Sequence, residues 1–202
     1  MAHYVRILST SAEPVTLEYL RASLRKQHAS AVLTLEAGTA DQWEQIILTH
    51  GDGTEIAAIE RNAFGASTLA FEELKEFSEE IAGEKPARAV EWLKNYFPRV
   101  QCIYACQLLS GTDHLNGWDI FGGVKEVIWN FAPAIFQADR EGFSNEDGYH
   151  ILWQFSDRVK GKWWMGIFEN GQWIHFQMDL ANQEHRHAFL DGRVPAGVQF
   201  AG

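Results

Sequence analysis

Two periods of hydrophobicity run along the chain, one of two residues and one of three to four, and they separate strands from helices. The sharpest two-residue period lies in Lys162 to Leu180, KWWMGIFENGQWIHFQMDL. It reads as two strands joined at Asn170-Gly171, a pair that tolerates the positive φ a type I′ turn needs at both central positions. With that pair at the turn, Phe168 opposes Trp173, Ile167 opposes Ile174 and Gly166 opposes His175. Met165 then opposes Phe176, Trp164 opposes Gln177 and Trp163 opposes Met178. Successive side chains alternate across a sheet, so this register predicts two faces. One carries Trp163, Met165, Ile167, Ile174, Phe176 and Met178, all apolar, and is expected to face a core. The second carries Trp164, Gly166, Phe168, Trp173, His175 and Gln177, aromatic and polar groups around a glycine.

The same patterns divide the rest of the chain. His3 to Ser9 predicts a first strand, and Val15 to Gln27 a helix with Leu17, Leu20 and Leu24 on one face. Ala31 to Glu36 predicts a strand, and Trp43 to Thr49 with Thr54 to Glu60 a hairpin around Gly51-Asp52-Gly53. A helix is expected from about Ser67, with Phe71, Leu74, Phe77, Ser78 and Ile81 as its inner stripe. A second helix carries Val90, Leu93 and Phe97, and Pro98 stops it. Val100 to Leu109 reads as a strand, and Gly117 to Phe131 as a helix with Phe121, Val124, Ile128 and Phe131 inward. Ile135 to Arg140 is a short strand, and Glu141 to Gly148 a polar loop with Phe143 as a lid residue. Tyr149 to Phe155 alternates and predicts a third strand beside the hairpin, with Phe155 opposite Trp163, Trp153 opposite Met165 and Ile151 opposite Ile167. That pairing places His150, Leu152 and Gln154 on the second face. Gln183 to Leu190 predicts a last helix, capped by Gly192.

In order, residues 1–98 give strand, helix, three strands, helix, and residues 99–202 give strand, helix, four strands, helix. The expected architecture is a single α+β domain of two similar halves, a duplicated strand-helix-strands-helix unit. Its sheet is mainly antiparallel, with helices packed on one side. Strands that follow strands directly argue against a doubly wound parallel sheet.

Composition narrows the function classes. At 202 residues, 46 per cent apolar and 22 per cent charged, the chain can bury a core without disulfides or metals. The net charge of −10, from 27 acidic and 17 basic residues, repels phosphate backbones and disfavours nucleic acid. It leaves a basic protein or a cationic ligand as partners. Cys102 and Cys106 lie four residues apart in one predicted strand, about 13 Å, too far for a disulfide. Both are expected as buried apolar residues in a reducing compartment. Without a signal peptide or an apolar run of about 18 residues, the chain is expected to be soluble and cytoplasmic, with no membrane contact.

Candidate chemistry gathers on the second face. Indole rings with a few hydrogen-bonding groups are what small-molecule pockets contain, and Gly166 leaves a gap among larger neighbours. The expected ligand-binding set is Trp164, Gly166, Phe168, Trp173, His175, Gln177, His150 and Gln154. Two imidazoles are too few for zinc, so neither a metal nor a cofactor is expected. Asp139, Glu141, Glu146 and Asp147 gather in the segment Gln137 to Gly148, but their spacing does not match a calcium loop. No P-loop, G-x-S-x-G elbow, dinucleotide fingerprint, H-E-x-x-H or paired C-x-x-C is present.

Three functions fit these residues. The first is a non-catalytic binding protein whose aromatic sheet face takes a small, partly apolar ligand. The second is an acidic interaction or immunity-type module, since residues 72–84 hold six Glu and one Lys. Its partner would be a basic protein, and the same sheet face also suits a homodimer contact. The third is a hydrolase or isomerase pairing His150 or His175 with Asp139 or Glu141.

Overall fold

A computed structural model describes residues 3–65, 69–156 and 158–201. In chain order the elements are β1 (His3–Ser9), α1 (Leu17–Gln27), β2 (Val32–Gly38), β3 (Trp43–Thr49), β4 (Glu55–Ala63) and α2 (Leu69–Glu80). They continue with α3 (Ala87–Tyr96), β5 (Cys102–Leu108), α4 (Gly117–Trp129), β6 (Ala134–Ala138) and β7 (Gly142–Ser144). Last come β8 (Lys162–Glu169), β9 (Gln172–Asp179), α5 (Gln183–Leu190) and β10 (Gln199–Phe200). Helices combined with mainly antiparallel sheet make this an α+β fold, as the hydrophobic periods predicted. The expected helix start at Ser67 lies outside the described residues. Among the described residues no helix is long and apolar enough to cross a membrane.

The chain forms two compact units, Met1–Phe71 with Val100–Ala134, and Glu72–Arg99 with Ile135–Gly202. In the first, strands run in the order β2-β3-β4-β5-β1, each pair antiparallel. Thr16 caps α1 by accepting the Tyr19 N–H at 3.3 Å, and Leu17, Leu20 and Leu24 turn inward as their spacing requires. Trp43 is fully buried; its indole N–H donates to the Val15 carbonyl at 2.7 Å, so the ring packs without an orphaned donor. Cys102 and Cys106 are buried on β5. Burial pushes their thiols up to about 11 and about 12 respectively. Phe131, expected inward, is exposed because α4 ends at Trp129 and the chain has left the helix before reaching it.

Along α2 and the residue that follows it, the buried stripe is Ala70, Leu74, Phe77 and Ile81, an i, i+4, i+7, i+11 spacing. Phe71 sits one residue off that phase and is 65% exposed, where the sequence pattern had placed it inside.

The second unit contains the β8–β9 hairpin in the predicted register, from Trp163 opposite Met178 to Phe168 opposite Trp173. Asn170 and Gly171 take φ of +52° and +81°, as the type I′ turn demands. Met165, Ile167, Phe176 and Met178 are buried with Trp153, Phe155, Leu180 and Phe189, so the apolar face is a core face. A short β10 adds antiparallel to β9, placing Gln199 opposite Gln177.

Two neighbouring segments differ from expectation. The stretch read as a polar loop contains β7, paired antiparallel with β6 through Gln137 opposite Phe143. Phe143 is fully buried rather than a lid, set edge-on to Phe77 at 5.5 Å and against Phe97 at 5.7 Å. Residues 149–155, by contrast, form no strand. The Ile151 and Leu152 N–H groups share the Phe143 carbonyl at 2.8 and 3.4 Å, that of Trp153 goes to the Lys85 carbonyl at 3.2 Å, and that of His150 goes to the Trp164 carbonyl of β8 at 3.1 Å. The only ladder contact with β8 among the described residues is one parallel bridge, His150 to Met165.

Candidate functional site

That single parallel bridge decides which residues share a face. It sets His150 on the Met165 side of β8 and turns Tyr149 and Ile151 to the other side. The antiparallel pairing expected for residues 149–155 would have done the opposite. His150 accordingly stacks on Phe155 (5.1 Å between centroids, 23°) and lies edge-on to Trp163 at 5.0 Å. Its Nδ1 is 3.3 Å from Ser144 Oγ and its Nε2 3.9 Å from Glu141 Oε2. His150 and His175 therefore do not meet. Gln154 is also elsewhere, donating to Glu80 Oε1 of α2 at 2.8 Å. Leu152, expected on the second face, is buried, with its carbonyl against Gly142.

The hairpin's own second-face residues do share a side, in three stretches. In the middle, the space over Gly166 is already filled. A Cβ there would lie 3.3 Å from Ile151 Cγ2, 3.3 Å from Trp173 Cε3 and 3.4 Å from His175 Cδ2. The glycine is needed for close packing, and the expected gap is closed.

Toward the strand ends away from the turn, His175 stacks face to face on Tyr149, 3.8 Å between centroids at 7°. Tyr149 is in turn edge-on to Trp164 at 5.9 Å, and Trp164 is 37% exposed. Asn145, fully buried, accepts the N–H groups of Asp147 and Tyr149 through Oδ1 at 3.2 and 2.9 Å. This fixes the amide so that Nδ2 faces His175 Nε2 at 3.0 Å. An amide N–H can donate only to a bare ring nitrogen, so His175 is neutral with its proton on Nδ1. Burial also lowers its pKa, and the Asp147 carboxylate, 3.5 Å from Nε2, acts in the opposite sense. The carboxylate beside His175 is thus Asp147, not Asp139 or Glu141, and Asn145 already occupies the Nε2 lone pair. Gln177 is half-buried on the same side, on the strand that pairs with β10.

Toward the turn, Phe168 tilts on Trp173 at 5.0 Å, and Trp173 meets Trp92 of α3 edge-on at 5.2 Å. Trp92 stacks on Tyr96 one helical turn on, at 5.1 Å and 26°. Between α3 and the turn lies a groove of about 450 Å³. Arg88, Glu91, Trp92 and Asn95 line it from α3, Phe168 and Asn170 from the hairpin. Its volume is within the range of small-molecule sites, about 300–1,000 Å³.

Sequence reasoning missed Asn145, Tyr149 and Trp92. The i, i+4 spacing of Trp92 and Tyr96 was a visible signal of a second, aromatic helix face. Nothing local marked Asn145 as more than a turn residue. Among the described residues no group of three or more His, Cys, Asp or Glu is placed to hold a metal. No protein-family model matches the chain, and no curated protein or solved structure shows significant similarity to it.

Proposed function

We propose that the protein binds a small, partly apolar ligand in the groove between α3 and the β8–β9 turn. The observation that carries this reading is the run Phe168, Trp173, Trp92 and Tyr96, four aromatic rings in contact beside an open groove with polar groups on its helix rim. Such rings are held in place by one another, so a ligand meets a preformed wall and little ordering cost. A thermal-shift and tryptophan-fluorescence screen tests it. Hits should disappear in Trp92→Ala and Phe168→Ala; hits that persist unchanged in both variants place the ligand elsewhere.

One observation favours a second reading, an acidic protein-interaction module. Phe71 stands exposed at the start of α2, immediately before the acidic run that begins at Glu72. An apolar anchor beside steering charge suits a basic protein partner. A pull-down that recovers the same prey after Phe71→Ser combined with Glu72→Lys and Glu76→Lys would count against it.

A further inference from the structure

We infer that the α3 groove selects a protonated amine carried on an apolar body; this rests on the binding reading above and names its ligand class. Arg88 has a counter-ion: its Nη1 lies 3.8 Å from Glu169 Oε1. Glu91, one turn further along the same helix face, is exposed, and among the described residues its carboxylate has neither a hydrogen bond nor an ion pair. Asn95 gives one of its two Nδ2 N–H groups to the Glu91 carbonyl at 3.0 Å, and its Oδ1 is available as an acceptor. A carboxylate and an amide oxygen, one helical turn apart, call for a ligand that donates several hydrogen bonds and carries positive charge. The Trp92 and Phe168 rings act in the same direction, because aromatic faces attract cations and the rings would bury the ligand's apolar part. The chain's net charge of −10 adds a long-range field of the right sign. An anionic ligand would meet Glu91 with no uncompensated cation to offset it.

Three probes of one shape and different charge test this: 2-phenylethylamine, 2-phenylethanol and phenylacetate. Each is titrated at low salt into the ¹⁵N-labelled full chain while the indole signals of Trp92 and Trp173 are followed. The amine is expected to bind on the order of tenfold tighter than the alcohol, as one charge-assisted contact allows, and phenylacetate weakest of the three. Added salt should narrow the gap between amine and alcohol. Glu91→Gln, an isosteric change at an exposed position, should bring the amine close to the alcohol's affinity, with a much smaller change for the alcohol. Equal binding of amine and alcohol, or an amine affinity indifferent to Glu91→Gln, overturns the charge preference and leaves the groove standing as a ligand site. If none of the three moves either indole signal, the groove reading falls with it.

Discussion

Asn145 Nδ2 lies 3.0 Å from His175 Nε2, and the far end of that amide is held by two backbone N–H groups. The imidazole is thereby fixed as the Nδ1–H tautomer, and gaining a second proton would set two N–H groups against each other. The direction of titration follows. Burial lowers the His175 pKa and Asp147 only partly opposes it, so the unfolded chain takes up the proton more readily than the folded one. Stability from this site is complete above about pH 6.5, the unfolded value, and is lost as pH falls through the lower folded value. Imidazole ¹⁵N shifts should report a bare Nε2 at neutral pH. In Asn145→Ala the His175 pKa should rise, since Asp147 can then accept the Nε2 proton. The same variant should lose about 1–3 kcal/mol by orphaning the Asp147 and Tyr149 N–H groups. A protonated Nε2 in the native protein at pH 7 would disprove the arrangement.

The two faces of β8 make a second prediction. Met165 is fully buried in the core cluster, while its neighbour Trp164 is 37% exposed and touches Tyr149 edge-on. Met165→Ala should cost about 2–5 kcal/mol in urea denaturation, the range for truncating a core side chain. Trp164→Ala should cost about 1 kcal/mol, despite removing far more atoms, because mainly one edge contact is lost. The reverse ranking would mean that the strand presents its other side to the core.

The hairpin was readable because Asn170-Gly171 pins the turn, and a pinned turn fixes every pair after it. Residues 149–155 carry an alternation just as clean, yet form no strand. Alternation describes which side chains seek burial, not where the backbone finds partners, and here those partners include the Phe143 carbonyl of β7 and the Lys85 carbonyl, far earlier in the chain. One parallel bridge in place of an antiparallel ladder moved His150 to the core side and brought Tyr149 onto His175. Phe71 and Phe143 misled for a related reason. Each is a large apolar residue in a polar stretch, and only the phase of Ala70, Leu74, Phe77 and Ile81, or the pairing of β6 with β7, decides which of the two is buried. The groove was half legible: Phe168 stood out in the hairpin pattern, but the helix that completes it lies some eighty residues earlier in the chain.

The cysteines give a third prediction. With burial raising their thiols to about 11 and about 12, roughly a thousandth or less of either is thiolate at pH 8. The buried positions also keep reagents out. Ellman's reagent should therefore leave both unmodified in native buffer and titrate both once the chain is unfolded in urea. Rapid stoichiometric labelling of the native protein would show that β5 opens, or that one thiol is exposed.

Gly142 and Gly171 separate backbone strain from collision. Both have positive φ, +103° and +81°, so alanine is strained at either position. Around Gly171 a Cβ would meet nothing within 4 Å, whereas at Gly142 it would run into the carbonyl oxygen of Leu152. That carbonyl cannot simply retreat, because the adjoining Ile151 and Trp153 N–H groups are tied to Phe143 and Lys85. Gly171→Ala should accordingly cost about 1–2 kcal/mol, the strain alone. Gly142→Ala should cost distinctly more, and should also disturb the indole signal of Trp153, which follows Leu152 into the core cluster. Equal costs for the two substitutions would mean that residues 150–153 shift freely, and the single bridge holding His150 to Met165 would then be too weak to fix the faces of the site.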